Sequence, residues 1–92
     1  MNEIRKEKLR IANICMAIME KEVAFMSVDF SNYGTGTDIT EWLVDGENIE
    51  IKRKWSVYSS EEARQLKEHK EIRLQLEELY REALAQREQV AA

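Results

Sequence analysis

The sequence predicts an α+β fold in the order α-β-β-β-α: a helix, a three-stranded antiparallel β-meander and a long second helix. Residues 48–58 alternate in the period of a strand that buries one face. Residues 37–45 are rich in β-branched and aromatic side chains and end at a turn signal. Helical periodicity flanks this region on both sides. The predicted single domain, 1–92, comprises a helix over 3–21, strands over 23–30, 37–45 and 48–58, a helix over 60–88 and a frayed tail over 89–92.

The second and third predicted strands form a hairpin around Gly46-Glu47. Glycine at the first position of a two-residue loop suits a type II′ turn, because it accepts a positive φ. A loop at Asp45-Gly46 would instead place Glu41 opposite Glu50, and like charges destabilise a cross-strand pair. The preferred register has the facing pairs Val44–Ile49, Trp42–Ile51 and Glu41–Lys52. It predicts a shared core face that consists of Trp42, Val44, Ile49, Ile51 and Trp55.

The first predicted strand, residues 23–30, is less regular than the other two. Its apolar face consists of Ala24, Met26, Val28 and Phe30. A one-residue slip would send this apolar set to solvent, so the register of the strand matters. The link to the second strand is rich in residues that accept positive φ or form local side-chain hydrogen bonds.

The first predicted helix has two apolar sides. One stripe is formed by Ile4, Ile11, Cys15 and Ile18, and the far side carries Ala12, Met16 and Met19. A helix that is apolar nearly all round is buried on both sides. We therefore expect it to pack between its own sheet and another subunit.

The second predicted helix begins with Ser59 as N-cap and Glu62 in a capping box. Its apolar stripe consists of Ile72, Leu76, Leu79 and Ala83. A helix over 60–88 is about 43 Å long, whereas a strand of eight residues spans about 27 Å. The helix therefore projects beyond the sheet, and the stripe predicts a homodimer or higher homo-oligomer through these four residues. The alternative is that the last turns fray.

Composition excludes several classes of function. The net charge of −4 argues against a protein that coats nucleic acid or an anionic membrane. One cysteine, Cys15, permits no internal disulfide and is typical of a reducing cytoplasm. The chain has neither a signal-peptide pattern nor about 20 consecutive apolar residues, so we expect a soluble cytoplasmic protein without a membrane partner.

The chain carries no recognisable catalytic set. Its one histidine, His69, lies at the edge of an apolar stripe and is expected to be a packed or interface residue. One histidine and one cysteine do not make a metal-ligand cluster. The sequence therefore predicts a protein that is not an enzyme and holds no metal or cofactor.

Two features have binding character. The loop Ser31–Thr37 contains glycines and hydroxyl or amide side chains that can expose backbone N–H groups to an anion. We take Asn32, Tyr33 and Thr35 as candidate ligand- or partner-binding residues, together with Lys52 and Lys54 on the third strand. The alternatives are a plain connecting loop and a solvated sheet surface.

The segment 28–42, VDFSNYGTGTDITEW, resembles small uncharacterised proteins encoded by phages and mobile elements of Gram-positive bacteria. The shared feature is a strand that ends in Asp29, Phe30 and Ser31 and is followed by a polar loop and a second strand. The resemblance implies an accessory protein that acts stoichiometrically on a bacterial host or anti-phage defence protein. Two rival hypotheses are a sponge for a small nucleotide signal and a module that binds single-stranded nucleic acid, the second being disfavoured by net charge.

Overall fold

The predicted α+β fold is confirmed. Apolar residues recur every 3.6 positions at both ends of the chain, which forms the two helices, and every second position in the middle of the chain, which forms the three strands. The computed structural model describes residues 3–22, 24–30 and 36–91, the last five by their backbone alone. The elements are α1 (Glu3–Glu20), β1 (Phe25–Phe30), β2 (Thr37–Asp45), β3 (Asn48–Val57) and α2 (Glu62–Ala91). The second helix continues through residues 89–91, which the sequence analysis assigned to a frayed tail.

The three strands form an antiparallel sheet in the order β1-β2-β3. Asp45 pairs with Asn48, and Gly46 between them has a φ of +61°. Among the described residues other than glycine, Glu22 alone has a positive φ, so Glu47 does not have one. A positive φ at the first loop position and not at the second is the pattern of the predicted type II′ turn.

A β-bulge interrupts the hairpin between Glu41 and Trp42. The facing pairs Val44–Ile49 and Trp42–Ile51 are those that the sequence predicts. Glu41, however, pairs with Arg53 rather than with Lys52, which is the extra residue of the bulge. One inserted residue reverses the inward and outward alternation of a strand.

This reversal corrects the predicted core face of the hairpin. Trp55 contacts α2, because its Nε1 donates a hydrogen bond of 2.9 Å to Oε1 of Gln75. Trp42 belongs to the opposite face, which the helices do not cover, and its Nε1 donates to Oγ of Ser27 at 3.0 Å. Val44, Ile49 and Ile51 share the face of Trp42 and are exposed.

The hydrophobic core lies between the other face of the sheet and the two helices. It is formed by Ile11, Cys15, Ile18, Met26, Ile39, Val57, Ile72 and Leu76. Each large side chain that is buried in such a core contributes about 1.5–3 kcal/mol to stability.

Cys15 is a buried residue of this core, as predicted, and burial raises the pKa of its thiol to about 11.

Two buried polar contacts connect the elements around this core. Between the helices, the carboxylate of Glu7 accepts hydrogen bonds from Arg73 Nε at 2.6 Å and from Arg10 Nη1 at 2.8 Å. Between α2 and β2, His69 Nδ1 donates to the Gln65 carbonyl at 2.6 Å. The other ring nitrogen, Nε2, then accepts from the Thr37 hydroxyl at 2.9 Å. His69 is thus a packed residue.

The start of α2 differs from the predicted capping box. Ser59 Oγ accepts from the backbone N–H of Glu61 at 3.2 Å, and the helix begins only at Glu62. The carbonyl of Glu61 accepts the first helical hydrogen bond, from the N–H of Gln65 at 2.9 Å. Ser59 therefore lies too far upstream for the reciprocal contact with Glu62 that a capping box requires.

Candidate binding surface

The apolar side chains at the hairpin end of the sheet lie on the face that the helices leave open. Phe25 is 62% exposed, Val44 41%, Ile49 64% and Ile51 57%, and Trp42 among them is half-buried. We call these five residues the open hairpin patch. Such a contiguous group is typical of an interaction surface, because apolar residues exposed singly are ordinary whereas clusters of them are not.

A groove adjoins the patch at the edge of β2. Among the described residues, the pairing of β1 with β2 ends at Phe25–Trp42, while β2 continues to Asp45. The end of α1 forms the opposite wall. The groove has a volume of about 660 Å³ and is lined by Met19, Glu22, Ala24, Phe25, Glu41, Trp42, Leu43, Val44 and Lys52.

One wall of this groove contains a buried carboxylate. Glu41 accepts a hydrogen bond of 2.7 Å from Arg53 Nε, and Lys52 Nζ lies 3.9 Å from its other oxygen. The guanidinium of Arg53 also lies 5.7 Å from the ring centre of Trp55, within the range of a cation–π contact. The charge of Glu41 is therefore compensated inside the protein, and the remaining groove wall is mainly apolar.

The predicted ligand-binding residues are not brought together in the described part of the chain. Asn32, Tyr33 and Thr35 lie outside the described residues, so the anion-binding role of their loop stays a prediction. Lys52 lines the groove, whereas Lys54 lies 3.8 Å from Asp38 at the polar end of the open face. Both lysines already have carboxylate partners, which does not favour either the nucleotide or the nucleic-acid hypothesis.

The polar end of the open face is internally hydrogen-bonded. The hydroxyls of Ser56 and Tyr58 both donate to Asp38, with the Ser56 contact at 2.8 Å. The Tyr58 bond, followed by that of Ser56, lowers the pKa of Asp38, and the same carboxylate raises the pKa of Tyr58. The open face therefore has an apolar hairpin half and a polar half.

The predicted oligomer interface on α2 is divided by the fold. Ile72 and Leu76 are buried in the core of the protomer, where α1 covers them, so a second copy cannot reach them in this structure. Leu79 and Ala83 are half-buried. The far side of α1 exposes Met16 and Met19, and its predicted burial against another subunit stays a prediction.

Trp42, Val44, Ile49 and Ile51 of the open hairpin patch were predicted to lie in the core, whereas the structure places them on the face that the helices leave open. The apolar alternation predicted one continuous core face, and the bulge at Lys52 reverses that alternation. A signal was nonetheless present: the run Lys52-Arg53-Lys54 interrupts the alternation at the position where the bulge lies.

No metal-binding cluster of three or more histidine, cysteine, aspartate or glutamate side chains exists within the described ranges. Nor does any helix in the same part of the chain have the length and apolarity that spanning a bilayer requires. Comparisons with protein-family models, curated proteins and solved structures found no match. The resemblance of residues 28–42 to phage proteins accordingly stays a prediction.

Proposed function

We propose that the chain is a non-enzymatic, oligomeric binding protein that acts by docking on another protein. The observation that carries this proposal is the apolar groove between the end of α1 and residues 41–44 of β2. Apolar side chains line it from both α1 and β2, at Met19, Leu43 and Val44. Grooves of this kind hold a partner segment by apolar contacts on their walls.

The chemistry of the groove favours an extended apolar segment of the partner. Among the described residues, β1 pairs with β2 only as far as Trp42, and an added strand beside residues 43–45 is the mode of docking that we propose. Addition of a strand provides main-chain hydrogen bonds, and pockets for alternate side chains provide specificity. Leu43 and Met19 supply apolar contact for such side chains.

The identity of the partner as a bacterial host or anti-phage defence protein rests on the resemblance of residues 28–42. A stoichiometric inhibitor needs only a docking surface, and the absence of a catalytic set in the sequence is consistent with that mode of action. We therefore propose that docking in the groove blocks a host or defence protein.

The test combines a functional and a physical readout. Bacteria that carry a defined defence system are infected with a phage that the system restricts, with and without the protein. We expect the protein to raise plating efficiency against at least one system, and affinity purification from those cells to recover a component of that system. Calorimetry with the purified component then measures binding directly.

Matched variants locate the binding site. Leu43→Asp and Met19→Asp introduce a charge into the groove and should abolish both binding and rescue. Leu74→Asp introduces the same charge at an exposed position of α2 and should preserve both. Full activity of the two groove variants would contradict the proposal, as would stabilisation by small nucleotides without any protein partner, which would favour the sponge hypothesis.

A further inference from the structure

We propose that the open hairpin patch is the interface with a second copy of this chain, in a two-fold dimer whose sheets pack face to face. The strands of the two copies run antiparallel, with Ile49 of one copy against Ile51 of the other. The dimer shares Phe25, Trp42 and Val44 with the wall of the groove, whereas Ile49 and Ile51 do not line the groove, so variants at these two positions test the dimer separately from partner docking. It moves self-association from α2, where the sequence predicts it, to the sheet.

The size of the patch suits a dimer. Its exposed side chains together offer on the order of 300–400 Å² of apolar surface. Two such patches together bury about 600–800 Å² of apolar surface, and the polar rims must supply the rest of the roughly 1,000 Å² that a specific interface requires. The interface is therefore at the small end of the range, and the dimer should dissociate on dilution.

The charges around the patch make it complementary to itself. Glu47 lies in the turn at one end. Lys54 lies on the open face beyond the other end of the patch, where its half-exposed ammonium group is 3.8 Å from Asp38 and has further donors for a second carboxylate. Lys54 pairs with Thr40, two residues before Trp42, and the turn begins two residues after Val44. The two-fold axis that we propose lies between the two sheets, across the strands, midway between the Trp42–Ile51 and Val44–Ile49 pairs. Measured along the strands, Glu47 is about 10 Å from this axis on one side and Lys54 about 10 Å on the other.

Rotation about that axis superimposes each acidic turn on the other copy's Lys54. The same rotation places Trp42 against Val44 of the second copy, so apolar side chains meet apolar side chains. Aligned packing of this kind is the common arrangement of two sheets that pack by their faces. Asp38, which contacts Lys54, then lies at the rim of the overlap.

Sedimentation across a concentration series tests the dimer. We expect the mass of the full chain to rise from 10.9 kDa toward twice that value. Ile51→Asp and Ile49→Asp should each hold the mass at the monomer value at every concentration, with an unchanged far-UV circular dichroism spectrum. Leu74→Asp is the matched control and should dimerise as the wild type does.

A zero-length cross-link tests the alignment. A 1:1 mixture of unlabelled and ¹⁵N-labelled chains is treated with a carbodiimide, which joins carboxylates to amines that are in contact. We expect mixed-isotope peptides that link Glu47 to Lys54. A chain that stays monomeric, a dimer that Ile51→Asp leaves intact, or a dimer without this cross-link would overturn the proposal. Failure of the groove variants to affect partner binding would leave these results unchanged.

Discussion

Replacing Glu7 by Gln should destabilise the protein by about 2–4 kcal/mol. The side chain of Glu7 is 1% exposed, and its two oxygens accept from Arg73 at 2.6 Å and from Arg10 at 2.8 Å. Glutamine preserves the volume but has one acceptor oxygen, and its amide group then faces an arginine donor. A hydrogen bond to a charged group contributes about 1.5–3 kcal/mol, and removal of one member of a buried ion pair costs about 3–5 kcal/mol.

The expected loss of stability is below the upper limit for a broken buried ion pair because both arginines keep other interactions. The side chain of Arg10 is 55% exposed and can hydrate, so its share is small. Arg73 keeps a hydrogen bond of 2.9 Å to Glu77. Urea unfolding at pH 7, followed by circular dichroism, measures the loss, and the slope with denaturant should not change.

Glu77→Gln is the matched control for this prediction. Glu77 also bonds Arg73, but its side chain is 35% exposed, so its loss should cost at most about 1 kcal/mol. Equal effects of Glu7→Gln and Glu77→Gln, both below about 1 kcal/mol, would refute the reasoning that the burial of Glu7 makes its charge costly to remove.

Three further predictions concern single positions. Burial lowers the pKa of His69 below its usual 6.5, so the neutral ring stabilises the fold fully above about pH 6.5. The free energy of unfolding should therefore fall as the pH is lowered from 6.5 to 5. His69→Gln should make the free energy of unfolding less dependent on pH in this range, and the same pH dependence in variant and wild type would contradict the prediction. Cys15, with a pKa raised to about 11, should react with a thiol reagent at pH 8 only as the protein unfolds, and rapid native labelling would refute its burial. Gly46→Ala should cost about 1 kcal/mol from backbone strain alone, because a Cβ at Gly46 meets no atom within 4 Å. Gly46→Asn should cost less, and equal urea midpoints for Gly46→Ala and wild type would contradict the positive φ.

The order of elements and the hairpin turn could be predicted because their causes are local. Helical and strand periodicities act over a few residues, and the glycine at Gly46 determines where the chain reverses. The pairs Val44–Ile49 and Trp42–Ile51 follow from the turn by counting. Nothing beyond the neighbouring sequence is needed for them.

The exposed face of the sheet could not be predicted because it depends on a one-residue bulge and on where the two helices pack. Once Lys52 leaves the ladder, every side chain nearer the turn on β3 changes face. Alternation alone does not distinguish a core strand from one whose apolar side is left open, since both have the same period. The helices decide which face is covered, and they cover the face of Ile39 and Val57.

Hydrophobic periodicity could not predict the buried ion pair between the helices either, although one feature of the sequence indicated a buried charge. Glu7 lies between Ile4 and Ile11 on the apolar stripe of α1, where a polar residue is unexpected. Its partner, Arg73, is distant in sequence, and only the packing of α1 on α2 brings the two together. The stripe of α2 was read as an oligomer surface for the same reason: the sequence does not reveal that α1 covers Ile72 and Leu76.

The central claim is that the open hairpin patch is a binding surface and not part of the core. Urea midpoints of the wild type and of Ile51→Ser, each measured over a range of protein concentrations, test it most directly. Self-association stabilises the folded state by mass action, so the wild-type midpoint should rise with concentration while that of the variant stays constant. The difference between the two midpoints should therefore increase with protein concentration. A variant that is less stable by the same amount at every concentration would contradict the claim and assign Ile51 to the core.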